Sequence, residues 1–244
     1  MLSGPLGKRM LMFALPLIAS GVLQQSFNSV DVAVVGRFAG SHALAAVGSN
    51  GPVISLLINM FLGLSVGVNV VIANYIGQRN REGIRQAVAT SAFLALASGI
   101  SMLVLSQVIA RPLLTALDTP AEVLDDAVLY LRLIGLGMPF MMIYNFGAAI
   151  LRSIGDTGRP FFSLVIAGVV NVVLNLVFVV GMGMGVAGVA LGTIVSNIVN
   201  EVIINVILMR AKIYLSIDQR SLRPSAIQIR KICGVGIPAS VQAS

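Results

Sequence analysis

The run from Met10 is largely apolar until Gln24 and Gln25, then Asn28 and Asp31, and Gln24, Asn28 and Asp31 are spaced i, i+4 and i+7. On a helix this spacing places all three on one face, with Leu, Met, Phe, Val and Ala filling the rest. A carboxylate in a membrane-length apolar segment is costly unless it faces protein, water or a bound ion. The face therefore lines a polar cavity, or Asp31 lies far enough along to reach the outer headgroups. Two further groups share the pattern. Asn171 and Asn175 are one helical turn apart, and Asn197, Glu201 and Asn205 repeat at i+4. Glu201 lies about sixteen residues into a segment running inward, so it is either an interfacial residue reaching the cytoplasmic side or a buried one. Enzyme chemistry has no comparable support. His42 and Cys233 are single residues, so neither a histidine-rich metal site nor an intrachain disulfide can be built. There is no nucleotide-binding glycine loop beside a strand.

The elements that must hold these residues are membrane helices. Of 244 residues, 57% are hydrophobic and only 10% charged, against roughly 25% charged in a soluble domain; the mean hydropathy is +0.96. Lipid-exposed strand edges are not tolerated, so apolar segments of about 20 residues are helices. The alternating segments of an outer-membrane barrel are absent. Spans are expected at 10–35, 50–75, 86–110, 128–151, 161–181 and 186–209, and another segment begins near Gln228. The first is too long, and too polar at its far end, to be a cleaved signal peptide. Gly48 to Pro52 reads as a breaker-rich entry to the second span, with Pro52 in the first turn. That span carries Asn59, Asn69 and Asn74, expected to bond between helices, and Gly63, Gly67 and Gly77, expected to permit close contact. The Asp118-Thr119-Pro120 turn offers either of its first two residues as a cap for the fourth span, and Pro139 should kink that span. In the turn from Arg152 to Pro160, Asp156 is expected to pair with Arg152 or Arg159, unless the turn clamps two helix ends.

A net charge of +7 reflects loop asymmetry rather than a nucleic-acid partner. Lys8, Arg9, Arg79, Arg81, Arg85, Arg152, Arg159, Arg210, Lys212, Arg220, Arg223, Arg230 and Lys231 fall on one side, 13 of the 16 basic residues. Asp118, Glu122, Asp125 and Asp126 cluster on the other, and Arg132 can snorkel outward from the fourth span. The positive-inside rule then places the N-terminus in the cytoplasm. From Pro224 the sequence begins again: Lys8-Arg9 precedes Pro16 as Arg230-Lys231 precedes Pro238, at an offset of 222. This echo suggests parallel repeats, each starting on the cytoplasmic side. The expected organisation is a six-helix bundle over 1–209, a basic linker over 210–227, and the start of a second bundle over 228–244. On this reading the chain is half of a transporter, as a fragment or a truncated gene product.

Several stretches resemble the multidrug and toxic compound extrusion (MATE) family, in particular its bacterial DinF-like branch. They are Asn28-Ser-Val-Asp31 through Val35-Gly36-Arg37-Phe38, Ala43 to Gly48, Arg152 to Pro160, and Gly185 to Ala190. The ordered set covers Leu11 to Met209. The resemblance implies an all-α polytopic fold of twelve transmembrane helices, built from two six-helix bundles around a central cavity. It implies a bacterial inner-membrane exporter of cationic amphiphilic drugs, driven by protons or sodium ions, with no cofactor. Asp31 matches the proposed coupling aspartate, and Asn171 and Asn175 match polar positions of the same site. Aspartate is frequent at the second of these, so Asn175 is a departure. One carboxylate fewer means less like-charge repulsion at Asp31, which weakens the case for protons against sodium. A second cation site of the family uses acidic residues of the C-terminal bundle.

The mechanism expected is exchange by competition. Asp31 is the coupling carboxylate, within a polar shell of Gln24, Asn28, Asn171 and Asn175, and drug and ion compensate the same charge. Met60, Phe61, Met141 and Tyr144 are candidate apolar contacts for a flat cation. The partners expected are small organic cations, the lipid bilayer, and a C-terminal half in the same or another chain. One rival is a flippase for lipid-linked saccharides, disfavoured because Arg132 is the only clear arginine within the spans. The other is an incomplete lobe with no transport activity alone.

Overall fold

A computed structural model describes residues 6–211 and 224–243. The chain runs through α1 (Leu6–Phe38), α2 (Gly40–Gly77), α3 (Arg81–Ala116), α4 (Ala121–Ser153) and α5 (Gly158–Asn175). A π-helical segment (Leu176–Gly181), α6 (Gly185–Arg210) and α7 (Ala226–Ala243) complete it. Among the described residues, five helical stretches are long and apolar enough to cross a membrane: α2, α3, α4, α5 with its π segment, and α6. At 33 residues α1 is comparably long, and its polar stretch from Gln24 to Asp31 sets it apart. Leu11, Leu15, Ile18 and Val22 stand more than 60% exposed along one face of α1. A stripe of that kind suits lipid or a helix of another unit, not water. Most of the expected linker, including Lys212, Arg220 and Arg223, lies outside the described residues.

The helices are longer than expected and their turns tighter. α2 begins at Gly40, with Ala39 alone separating it from the end of α1. The stretch from Gly48 to Pro52 is therefore helix interior rather than an entry turn, which corrects the sequence reading. Ala43, Ala46, Val47, Asn50, Val53 and Leu57 keep a helical period along one buried face, and that burial carries the helix through the proline. Asn50 is fully buried, and its Nδ2 donates to the carbonyls of Ala46 at 2.8 Å and Ala127 at 2.9 Å. It ties α2 to α4. Asn74 is exposed and accepts from Gln78.

Capping differs from expectation as well. Asp118 and Thr119 do not cap α4, whose N-cap position is Pro120 without a side-chain bond. Their backbone N–H groups instead donate to Thr115 and Leu114, closing the end of α3, with Asp118 at φ +53°. Asn80 does cap, its Oδ1 accepting from Gly83 N at 2.9 Å to start α3. Asp156 pairs with Arg159 at 3.2 Å and also accepts from the Arg159 backbone N–H.

Close contacts rest on small residues, as expected where van der Waals packing drives association. α7 lies along α2: a Cβ at Gly67 would come within 2.4 Å of the Ile232 carbonyl, and one at Gly63 within 2.4 Å of the Gly236 carbonyl. Gly77, expected to serve likewise, faces open space. α4 passes unbroken through Pro139, which packs on Gly99 of α3.

Candidate functional site

Three helices converge on Asp31. α5 presents Asn171 and Asn175 on one face, and both are buried. Asn175 Nδ2 donates to Asp31 Oδ1 at 2.5 Å and lies 3.3 Å from Asn171 Oδ1. Asn171 Nδ2 in turn donates to Thr193 Oγ1 of α6 at 3.5 Å, and that hydroxyl donates to the Val189 carbonyl at 3.0 Å. Tyr130 of α4, also buried, lies close enough to Asp31 to interact with its charge.

Small residues allow this convergence. Gly168 of α5 receives the ring of Phe27, since a Cβ there would sit 1.8 Å from Phe27 Cε2; this brings α1 onto α5 one turn before Asp31. Gly192 of α6 faces Asn175, with a Cβ position only 2.2 Å from Asn175 Oδ1. The winding changes to π immediately after Asn175, a feature frequent at functional sites.

The group is left incomplete in hydrogen-bonding terms. Asn175 Oδ1 is buried without a partner, and an orphaned buried acceptor is costly. A carboxylate has about four acceptor positions, and the one described bond to Asp31 comes from Asn175. Asp31, Asn171, Asn175 and Thr193 thus supply oxygen atoms in excess of donors, which is the donor set of a hard monovalent cation or a proton carrier.

The other sequence-selected residues are placed differently. Gln24 and Asn28 are exposed on α1 and lie outside this hydrogen-bonded group, not in a shell around Asp31. Met60 is 46% exposed on α2, Phe61 and Met141 are half-buried, and Tyr144 is enclosed in the bundle. An apolar groove of 410 Å³ runs between α1 and the start of α5, lined by Leu15, Ile18, Val22 and Phe161 among others; Met60, Phe61, Met141 and Tyr144 do not line it. Glu201 is half-buried and accepts from Asn205 Nδ2 at 2.5 Å. Thr193, Tyr130 and Gly192 were not anticipated. Only Thr193 had a signal, four residues before Asn197 in the α6 pattern.

The chain matches the MatE family model over residues 16–177. It is 30% identical to the probable multidrug resistance protein YoeA of Bacillus subtilis, over 96% of this chain and 52% of that protein. It is 27% identical to the probable multidrug resistance protein NorM of Thermotoga maritima, over 96% of this chain and 51% of that one. A crystal structure of MATE in the bent conformation superposes with a TM-score of 0.91 at 29% identity, covering 98% of this chain and 53% of the other. The chain thus spans about half the length of the relatives it matches. With the family match covering most of its residues and the fold of half a MATE transporter, this chain belongs to the MatE family.

Proposed function

We propose that this chain forms the N-terminal half of a cation-coupled antiporter that exports cationic amphiphilic compounds across the bacterial inner membrane. Its N-terminus lies in the cytoplasm, in line with the charge asymmetry. The observation that carries the proposal is Asp31 within 2.5 Å of Asn175, in a membrane helix, beside an amide oxygen that has no partner. A proton or sodium ion neutralises the carboxylate, and the oxygens of Asn171, Asn175 and Thr193 complete the shell. An organic cation compensates the same charge, so the two ligands compete, and exchange follows from linkage between their sites. Coupling requires only that each ligand bind one packing of α1 better than the other. Asn28 and Gln24 lie about one and two turns before Asp31 on α1, and Met60, Phe61 and Met141 are the apolar contacts for a flat ligand, with Tyr144 enclosed in the bundle. The multidrug resistance names of the bacterial relatives support this substrate class. A second half, in the same or another chain, closes the cavity.

The test is gradient-driven efflux of a cationic dye from cells expressing Asp31→Asn. Efflux should fall to the empty-vector level while the protein is made and inserted normally. Undiminished efflux at normal expression would remove Asp31 from the mechanism.

A further inference from the structure

The polar group around Asp31 does not stop at Thr193. Along α6 the residues Thr193, Asn197, Glu201 and Asn205 are spaced by four, and all are half-buried. Four residues of helix rise about 6 Å and overshoot a full turn by about 40°, so the four form a stripe about 18 Å long that winds by about 120° around α6. Its upper end is bonded to the Asp31 site through Asn171. Asn197 faces α4, its Nδ2 lying 3.6 Å from where a Cβ on Gly137 would stand. At the lower end Asn205 donates to Glu201, and α6 finishes five residues later at Arg210.

Glu201 is the group in this stripe that lacks an explanation. Intramembrane carboxylates are expensive and are kept for ion or proton pathways. The ion pairs among the described residues are Arg85–Glu82, Arg111–Asp125 and Arg159–Asp156, and none involves it. Several charged and titratable groups on the helices packed against α6 have partners of their own. Asp31 of α1 and Tyr130 of α4 belong to the first site. Tyr144 of α4 is enclosed in the bundle, Asn200 Oδ1 accepts from Ser163 Oγ, and Arg152 of α4 forms none of the ion pairs above and keeps a buried Nε without a partner. Arg159 of α5 is held by Asp156. Tyr75 of α2 is held by Lys231 of α7. Glu201 is left with one amide donor and no counter-charge among the described residues.

We infer that Glu201 is a second cation-binding carboxylate of this half, joined to Asp31 by the α6 stripe, along which a monovalent cation moves between Asp31 and the Arg210 end of the helix. The cation is a proton or a sodium ion. Steps of about 6 Å are too long for direct transfer between neighbouring positions, and one bridging water spans each. The inference rests on reading Asp31 as the coupling site, and it adds an entry path and a second site to that reading.

Infrared difference spectroscopy of the purified protein in lipid nanodiscs, titrated with acid in the presence and absence of sodium chloride, tests both. Wild type should show two protonated-carboxyl bands from membrane-enclosed groups. Glu201→Gln should remove one and Asp31→Asn the other, while Glu201→Asp retains a shifted band and shows that the fold tolerates substitution there. A Glu201 band suppressed by sodium at fixed pH identifies the ion as sodium, and one indifferent to sodium identifies a proton. After a pH jump, the Asp31 band in Glu201→Gln should respond about tenfold more slowly. Identical spectra for wild type and Glu201→Gln in both salts would overturn the second site. An unslowed Asp31 band would overturn the route. An Asp31→Asn spectrum that keeps both bands would instead remove the Asp31 reading, and the route with it, while the Glu201 band still reported on its own site.

Discussion

Two buried polar groups sit toward opposite ends of this bundle, and they are finished to different degrees. Around Tyr75, near the end of α2, the hydroxyl accepts from Lys231 Nζ at 2.8 Å and Gln228 Nε2 at 3.0 Å. The Lys231 ammonium also stands 5.1 Å from the ring centroid, and Gly83 packs directly on the ring. Around Asp31 the carboxylate has a single described donor, and the amide that supplies it keeps an orphaned oxygen. A polar cluster with its partners in place fixes structure; one with acceptors to spare is poised for a ligand. The Tyr75 cluster joins α7 to α2 and holds two elements together. The Asp31 cluster joins α1, α5 and α6 and leaves an acceptor without a donor.

The comparison breaks most directly at Gly192. Replacing it with alanine pushes a methyl group into Asn175 Oδ1, at a cost of about 1–3 kcal/mol. Because that side chain also holds Asp31, dye efflux should fall along with thermal stability in detergent. Normal efflux in Gly192→Ala would mean that the Asn175 contact is dispensable. Tyr75→Phe tests the other cluster. It strips an acceptor from a lysine and a glutamine, and about 1–2 kcal/mol of stability should go with it. A melting-temperature drop without any change in the infrared bands of Asp31 would keep the two clusters distinct, whereas a change in both would merge them. The smallest effect belongs to Asn80→Ala, which removes a cap at the start of α3, remote from Asp31 and bordering the Tyr75 cluster through Gly83. A loss of about 1 kcal/mol, read from the same melting curves, gives the baseline cost of a local polar contact.

Legibility from sequence was uneven, for identifiable reasons. The face shared by Asn171 and Asn175 could be read directly, because i+4 geometry is local to one helix. Gly63 and Gly67 were recognised as contact points, but their partner, the α7 backbone at Ile232 and Gly236, was not. Pro52 suggested a helix start and proved to be interior, since burial of the Ala43–Leu57 face outweighs the proline's local cost. Asp118 and Thr119 looked like caps by residue type. Their backbone groups were already committed to finishing α3. Local signals were reliable where nothing distant competed with them.

Composition and hydropathy by themselves determined that this chain lies in a membrane as long helices, because lipid permits no unpaired backbone. The periodicity of polar residues determined which of them share a face. Which faces meet was decided only in the tertiary structure. Asp31 and Asn175 are 144 residues apart, and no helical period relates them. Their contact depends on how far α1 and α5 rotate about their own axes. That rotation is set by the Phe27 ring seated on Gly168 and by the space that Gly192 leaves for an amide, packing details that become visible only when the helices are placed side by side.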